Sequence, residues 1–209
     1  DFVIIDNRQK ITNLNKEQII KICDRSFIGC DQLILIENDN SADAYLKFFN
    51  SDGGESGACG NGTRCIANFI SKETDNKTII LKTFSGLLKS EILGNKIVTT
   101  EIGKAKTDWS EIPLLEKLDT RNLNIKILDI NDKEHIGGTA VNVGNPHIIF
   151  FVNELNDFNI KKIGPEIENH SIFPEKCNVT IAQVINKDLI KVKVWERGAG
   201  LTKACGTAA

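Results

Sequence analysis

Residues 48–61 read FFNSDGGESGACGN and residues 195–207 read WERGAGLTKACGT. Each stretch leaves a strand-like apolar run, crosses a glycine-rich loop and reaches Ala-Cys-Gly. Sliding the sequence by 146 positions lays one on the other: Cys59 on Cys205, Ala58 on Ala204, Gly60 on Gly206, Gly54 on Gly200 and Ser56 on Thr202. Upstream, Lys47 falls on Lys193, Asn40 on Asn186 and Phe27 on Phe173, with no gap from Phe27 to Asn61. An offset held over that distance is the mark of one structural unit built twice.

The elements repeat with the residues. Asp1–Asp6 (DFVIID) and His147–Val152 (HIIFFV) are continuous apolar runs of strand length. Helical spacing follows over Lys16–Cys23 and over Ile160–Asn169, where Pro165 predicts a helix that starts near Gly164. Leu33–Ile36 and Val179–Ala182, then Tyr45–Phe49 and Lys191–Trp195, form two further matching strand pairs. After Cys59 the period changes. Cys65, Ile66, Phe69 and Ile70 share a helical face, which predicts a helix over residues 62–71 with Cys65 in the core. Thr78–Thr83, Gly86–Leu93 and Lys96–Ile102 read as strands, with Gly94-Asn95 at a corner. The expected fold is α/β (α+β), in two pseudo-symmetric halves over residues 1–105 and 106–209. The first copy continues well past its cysteine corner, whereas the second has only Gly206–Ala209 after Cys205, so the repeat predicts a fragment of a longer chain.

Composition narrows the function classes. The chain has 209 residues, of which 41% are hydrophobic and 26% charged, and a net charge of −2 with no long basic run. That balance argues against nucleic acid as a partner. No apolar segment approaches the roughly 20 residues that span a bilayer. The six cysteines (Cys23, Cys30, Cys59, Cys65, Cys177, Cys205) form no C-x-x-C pair, and His135, His147 and His170 do not cluster with them. Neither a metal site nor a disulfide framework is expected, and the reading is a reducing, cytoplasmic protein. Cys23, Cys30 and Cys177 read as structural.

A cysteine at the start of a helix has a particular chemistry. The first turn carries unpaired N–H groups and positive potential, which bind carboxylates and favour a thiolate. Glycines there let a ligand approach the backbone. Two such corners suggest one ligand held between two helix starts, with a sulfur on each side. Inversion of a carbon centre needs a base on one face and an acid on the other, and an ionised and a protonated thiol supply both. Helix starts facing the substrate carboxylate would stabilise charge as it develops.

ACGNGTRC (58–65), GNPH (144–147), FPEKCNV (173–179) and WERGAGLTKACGTAA (195–209) resemble the diaminopimelate epimerase family nearly end to end. The resemblance implies a cofactor-independent epimerase of two similar halves, with the active site in the cleft between them. It implies stereoinversion of LL- to meso-diaminopimelate, in lysine and peptidoglycan precursor synthesis, by a homodimer. Cys59 and Cys205 are then the acid/base pair. Gly60, Asn61, Gly206 and Thr207 match positions that hold the reacting carboxylate. Gln32, Asn50, Asn145, Asn178, Glu196 and Arg197 match the other substrate-binding positions, with Glu196 and His147 also tuning the thiols. Arg197 suits a carboxylate because its planar fork reaches two oxygens.

Leu201 departs from the Glu of many members, and the family's Gly-Asn before Asp-Phe is not in this sequence. The rival reading is a proline or hydroxyproline racemase. Asn61 where that family has His, and Lys203-Ala204 where it has Ser-Pro, favour the epimerase. A thiol redox sensor or binding module on the same scaffold is the alternative from another class.

Overall fold

The computed structural model describes residues 1–57, 59–94, 97–202 and 204–208. The chain divides into two compact units, Asp1–Gly103 and Lys104–Ala209.

In the first unit, strand β1 (Phe2–Asp6) runs parallel to β2 (Gln32–Glu37), and β2 is antiparallel to β3 (Ala44–Asn50). The crossover between β1 and β2 is helix α1 (Lys16–Cys23). Asn15 starts this helix with a capping box: its side chain accepts the Gln18 N–H, and the Gln18 side chain accepts the Asn15 N–H. β3 pairs with the short β4 (Glu55–Ser56) and, in parallel, with β5 (Thr78–Thr83). β6 (Gly86–Ile92) and β7 (Val98–Thr100) complete the sheet. Helix α2 (Gly60–Thr74) lies on it and buries Ile66, Ala67 and Ile70 against Ile34, Ile36, Ala44, Leu46, Phe48, Ile79 and Leu81. Each of the isoleucine, leucine and phenylalanine side chains contributes about 1.5–3 kcal/mol when taken from water.

Three local expectations change here. α2 begins two residues earlier than its apolar spacing predicts, because Cys59 supplies the cap. Cys65 is exposed, not core. The packed face is set by Gly62, Thr63, Ile66, Ala67 and Ile70, and Cys65 lies one helical step of about 100° away from Ile66. Phe69 is also 40% exposed, with the Arg8 guanidinium over its ring. The third strand is shorter than Lys96–Ile102, at Val98–Thr100. Lys96 and Asn95 lie outside the described residues, while Gly94 has the positive φ of 85° that a tight corner requires.

The second unit contains a hairpin of β8 (Ile125–Leu128) and β9 (Glu134–Gly137) and a sheet ordered β10 (Thr139–Asn142), β11 (Pro146–Phe151), β12 (Asn178–Asn186), β13 (Leu189–Glu196), β14 (Gly200–Leu201). Helix α3 (Ile160–Glu168) is the crossover from β11 to β12. It starts before Gly164, with Pro165 inside it. A residue before proline leaves the helical region because its Cβ meets the proline ring, and Gly164 has no Cβ. The Asn169 side-chain amide donates to the Pro165 carbonyl at 2.7 Å, which closes the helix end.

The repeat is present in the register. Leu33 pairs with Phe49, and 146 positions on Val179 pairs with Trp195. Phe49 pairs with Glu55, and Trp195 with Leu201. The first strands are offset by 145, since Phe2 faces Gln32 whereas His147 faces Asn178. The extra residue falls between the two strands, in the crossover. Ala44 and Leu46 are buried under α2, whereas their counterparts Ile190 and Val192 are 53% and 43% exposed.

Candidate functional site

The first cysteine corner is built around the start of α2. Cys59 is its N-cap, in extended backbone, and its Sγ accepts the Gly62 N–H at 3.4 Å. The Cys59 carbonyl accepts both the N–H and the hydroxyl of Thr63, at 2.8 and 2.9 Å. No acidic residue lies in the first turn, so nothing there opposes the positive end of a 15-residue helix. A Cβ on Gly62 would sit 2.7 Å from Ile34 Cδ1 and 2.8 Å from Phe48 Cε1. The glycine therefore lets the helix start settle onto the sheet. Gly60 and Asn61 open α2, and Asn61 Oδ1 accepts a hydrogen bond from the Arg64 guanidinium. Gln32 and Asn50 face each other across β2 and β3, and the Gln32 amide donates to Asn50 Oδ1 at 2.8 Å.

The second corner gathers six of the expected residues, Cys205, Thr207, His147, Asn145, Asn178 and Arg197, into one chain of contacts. Cys205 Sγ lies 3.4 Å from Thr207 Oγ1, and Thr207 Oγ1 lies 2.9 Å from His147 Nε2. The same ring nitrogen is 3.0 Å from Asn145 Oδ1 and 3.4 Å from Asn178 Nδ2. Asn178 also donates to the Pro146 carbonyl at 2.9 Å and accepts the Arg197 N–H at 2.9 Å. The Arg197 guanidinium donates to the Glu175 carbonyl at 2.9 Å. Glu196 Oε1 accepts the Thr202 hydroxyl. Gly206 and Thr207 form the turn after Cys205, where the Ala208 N–H reaches the Cys205 carbonyl at 3.4 Å.

The electrostatics follow from burial. His147 is 1% exposed, and desolvation, then the Arg197 charge, hold its pKa down to about 4. It is neutral at physiological pH. A hydrogen bond to Asn145 Oδ1 requires the imidazole proton on Nε2, and Nδ1 is buried with no partner among the described residues. Burial, and then the Glu196 charge, push the Cys205 thiol above its ordinary range, against hydrogen bonds from Thr207 and the Ala208 and Thr207 amides. In the resting protein Cys205 is thus a protonated thiol. Cys59, accepting an N–H at a helix start, has the setting that favours a thiolate.

Two participants escaped sequence reasoning. Thr202 holds Glu196, and its match to Ser56 in the repeat was the available signal. Glu168, on α3, accepts from Trp195 and Gly198, and an isolated Glu in a helix gives no signal at all.

The fold is shared with a solved proline racemase and a solved hydroxyproline epimerase. A probable proline racemase from Agrobacterium radiobacter superposes with TM-score 0.63 at 14% identity, over 94% of this chain and 67% of that one. A hydroxyproline epimerase from Agrobacterium vitis gives 0.62 at 15%, over 90% and 61%. At those identities the likeness concerns the fold alone. The sequence goes further. Residues 1–107 and 139–209 match the diaminopimelate epimerase family. The diaminopimelate epimerase of Pelagibacter ubique is 68% identical over all of this chain and 76% of its own length. That of Acidiphilium cryptum is 42% identical over all of this chain and 74% of its own. The chain belongs to the diaminopimelate epimerase family, a family of isomerases.

Proposed function

We propose that this chain inverts LL-2,6-diaminopimelate to the meso form, and the reverse, by two-thiol proton transfer. One thiolate removes the α-proton, forming S–H as Cα–H breaks. The electron pair passes toward the α-carboxylate, and the opposite thiol delivers its proton to the other face. The thiols exchange protonation states, so each turnover leaves the enzyme set for the reverse direction. The chemistry requires one thiol on each face of the carbon. The two halves of the repeat would each supply one, Cys59 from the first and Cys205 from the second.

The observation that carries this reading is the unlike setting of two repeat-equivalent cysteines. Cys59 caps a helix start, and Cys205 is a desolvated thiol beside Glu196. Such a pair is poised as base and acid before substrate arrives. The remaining roles are proposals of the same reading. The amides at Gly60, Asn61, Gly206 and Thr207 receive the reacting carboxylate. Gln32, Asn50, Asn145, Asn178, Glu196 and Arg197 bind the rest of the substrate, and His147 acts on Cys205 through Thr207. The names of the relatives support diaminopimelate as substrate, and lysine and peptidoglycan precursor synthesis is the setting that the family resemblance implies. Homodimerisation and a cytoplasmic location belong to the same proposal.

The test is α-proton exchange in heavy water, with LL-diaminopimelate and L-proline in parallel. Exchange and epimerisation of diaminopimelate alone, lost in Cys59→Ala and in Cys205→Ala, is the expected result. Exchange with proline alone would assign the chain to the racemase reading, and exchange with neither would leave a thiol sensor or binding module.

A further inference from the structure

Glu168 is a charged residue in an unfavourable place. Its side chain is buried, at 6% exposure for the residue, and it stands at the last position of α3, where the helix dipole opposes negative charge. Its two oxygens are both engaged. Oε2 accepts the indole N–H of Trp195 at 2.7 Å, and Oε1 accepts the backbone N–H of Gly198 at 3.0 Å. The Lys176 ammonium approaches Oε1 at 4.0 Å. Trp195 and Gly198 bracket Glu196 and Arg197, so one carboxylate spans the turn that carries both.

The first unit shows that the fold itself does not need a carboxylate there. The counterpart of Trp195 is Phe49. The helix residues that stand opposite it are Ile22 and Cys23, and all three join one apolar cluster with Ile19, Cys30 and Leu33. Apolar packing closes the helix against the sheet in one copy. In the other copy, Ile163, Ile167 and Trp195 pack in the same way, and a buried charge is added at the helix end, where it holds a backbone amide beyond the strand end. Gly198, at φ 72°, is the left-handed residue of that turn, and its N–H is the group Glu168 fixes. From the opposite side, Asn178 Oδ1 fixes the Arg197 N–H.

We propose that Glu168 is a positioning residue, a two-point clamp that sets Glu196 and Arg197 for a carboxylate-bearing amino-acid substrate. The inference rests on the proposed function for the identity of that substrate and on the geometry alone for the clamp. Glu168 does not touch the substrate itself. It acts through the turn.

Two variants test it. Glu168→Gln keeps the shape but turns an amide N–H toward one of the two donors. The double variant Glu168→Leu/Trp195→Phe rebuilds the apolar arrangement of the first unit and guards against a simple failure to fold. The first readout is hydrogen exchange at the Gly198 amide and the Trp195 indole nitrogen in ligand-free protein. The second is KM against kcat for diaminopimelate. In both variants we expect a cooperative melt, with Gly198 exchange and KM each raised about tenfold, the factor carried by one hydrogen bond to a buried charge, and kcat held within about threefold. Unchanged Gly198 protection would overturn the clamp. Lost protection with unchanged KM would reduce Glu168 to a structural role. A wild-type protein that turns over no diaminopimelate would refute the proposed function and the substrate link together, and Gly198 exchange would still decide the clamp.

Discussion

The Gly62 N–H donates to the Cys59 sulfur at 3.4 Å across the first turn of α2. The glycine is needed for that contact because a Cβ would meet Ile34 and Phe48 at 2.7 and 2.8 Å. Alanine would gain about 1 kcal/mol of helix propensity. Overpacking two fully buried side chains costs about 1–3 kcal/mol and shifts the helix start. The second effect dominates. Gly62→Ala should lose about 1–2 kcal/mol in a urea melt, within the overpacking range, and proton exchange should fall at least about tenfold as the thiol leaves its donor. Wild-type stability with wild-type exchange would show that α2 can rise off the sheet at no cost.

The unlike settings of the two thiols predict an order of chemical modification. Only a thiolate reacts with iodoacetamide, and burial and Glu196 keep Cys205 protonated. Cys65 is exposed and would report first, so the measurement belongs in a Cys65→Ser background. At neutral pH, peptide mass spectrometry should find Cys59 alkylated ahead of Cys205, because a raised thiol pKa lowers the thiolate fraction. Cys23, Cys30 and Cys177 are buried and should remain unlabelled in the folded protein. Alkylation of Cys205 ahead of Cys59 would reverse the proposed resting states.

Much of this arrangement was legible in the sequence because it is periodic. The 146-residue offset placed the paired strands and both cysteines, and the register follows it from Leu33–Phe49 to Val179–Trp195. What the sequence hid depends on packing in three dimensions. Cys65 looked like core because Ile66 and Phe69 share its helical arc, but the sheet takes only the face through Gly62, Ile66 and Ile70. The helix around Pro165 looked shorter than it is, since a preceding glycine removes the usual clash. β8, β9 and β10 are only four residues each, too short to show alternation. The contact from His147 to Cys205 runs through Thr207, 60 residues from His147 in sequence, and no local pattern announces it.

His147 predicts an acid-labile fold. Its pKa lies near 4 in the folded protein against an ordinary 6.5, so the unfolded chain binds the extra proton between those values. Stability is therefore full above pH 6.5, falls as pH is lowered through the window, and levels off below pH 4 with respect to this group. The whole loss is on the order of 3 kcal/mol. Urea unfolding from pH 7.5 to 4 should show it, and His147→Gln should flatten the slope. The carboxylates held low by their partners, Asp6 by Arg8 and Asp129 by His135, act mainly below this window. A flat profile in the wild type would mean that His147 is not desolvated.

Gly164 offers a test in which two well-measured effects have opposite sign. It stands inside α3, where replacing glycine by alanine ordinarily stabilises by about 1 kcal/mol. Here the new Cβ would lie 2.3 Å from Trp195 Cγ, 2.5 Å from Cδ2 and 2.6 Å from Cβ. These are the rigid inner atoms of the side chain, so a rotamer change at its tip relieves nothing. Trp195 is also held by its N–H to Glu168, which removes the option of swinging the ring away. Any shift of the indole would break that bond and disturb the neighbouring Glu196. Gly164→Ala should therefore destabilise by up to about 2 kcal/mol, an overpacking cost of about 1–3 kcal/mol less the helix gain of about 1. The same variant should weaken binding of diaminopimelate, because it strains the turn that Glu168 holds. Trp195→Phe should not rescue it, since phenylalanine keeps the Cβ and Cγ that clash. A Gly164→Ala protein more stable than wild type would show that the indole has a second seat in the core, and the packing described around α3 would then be wrong.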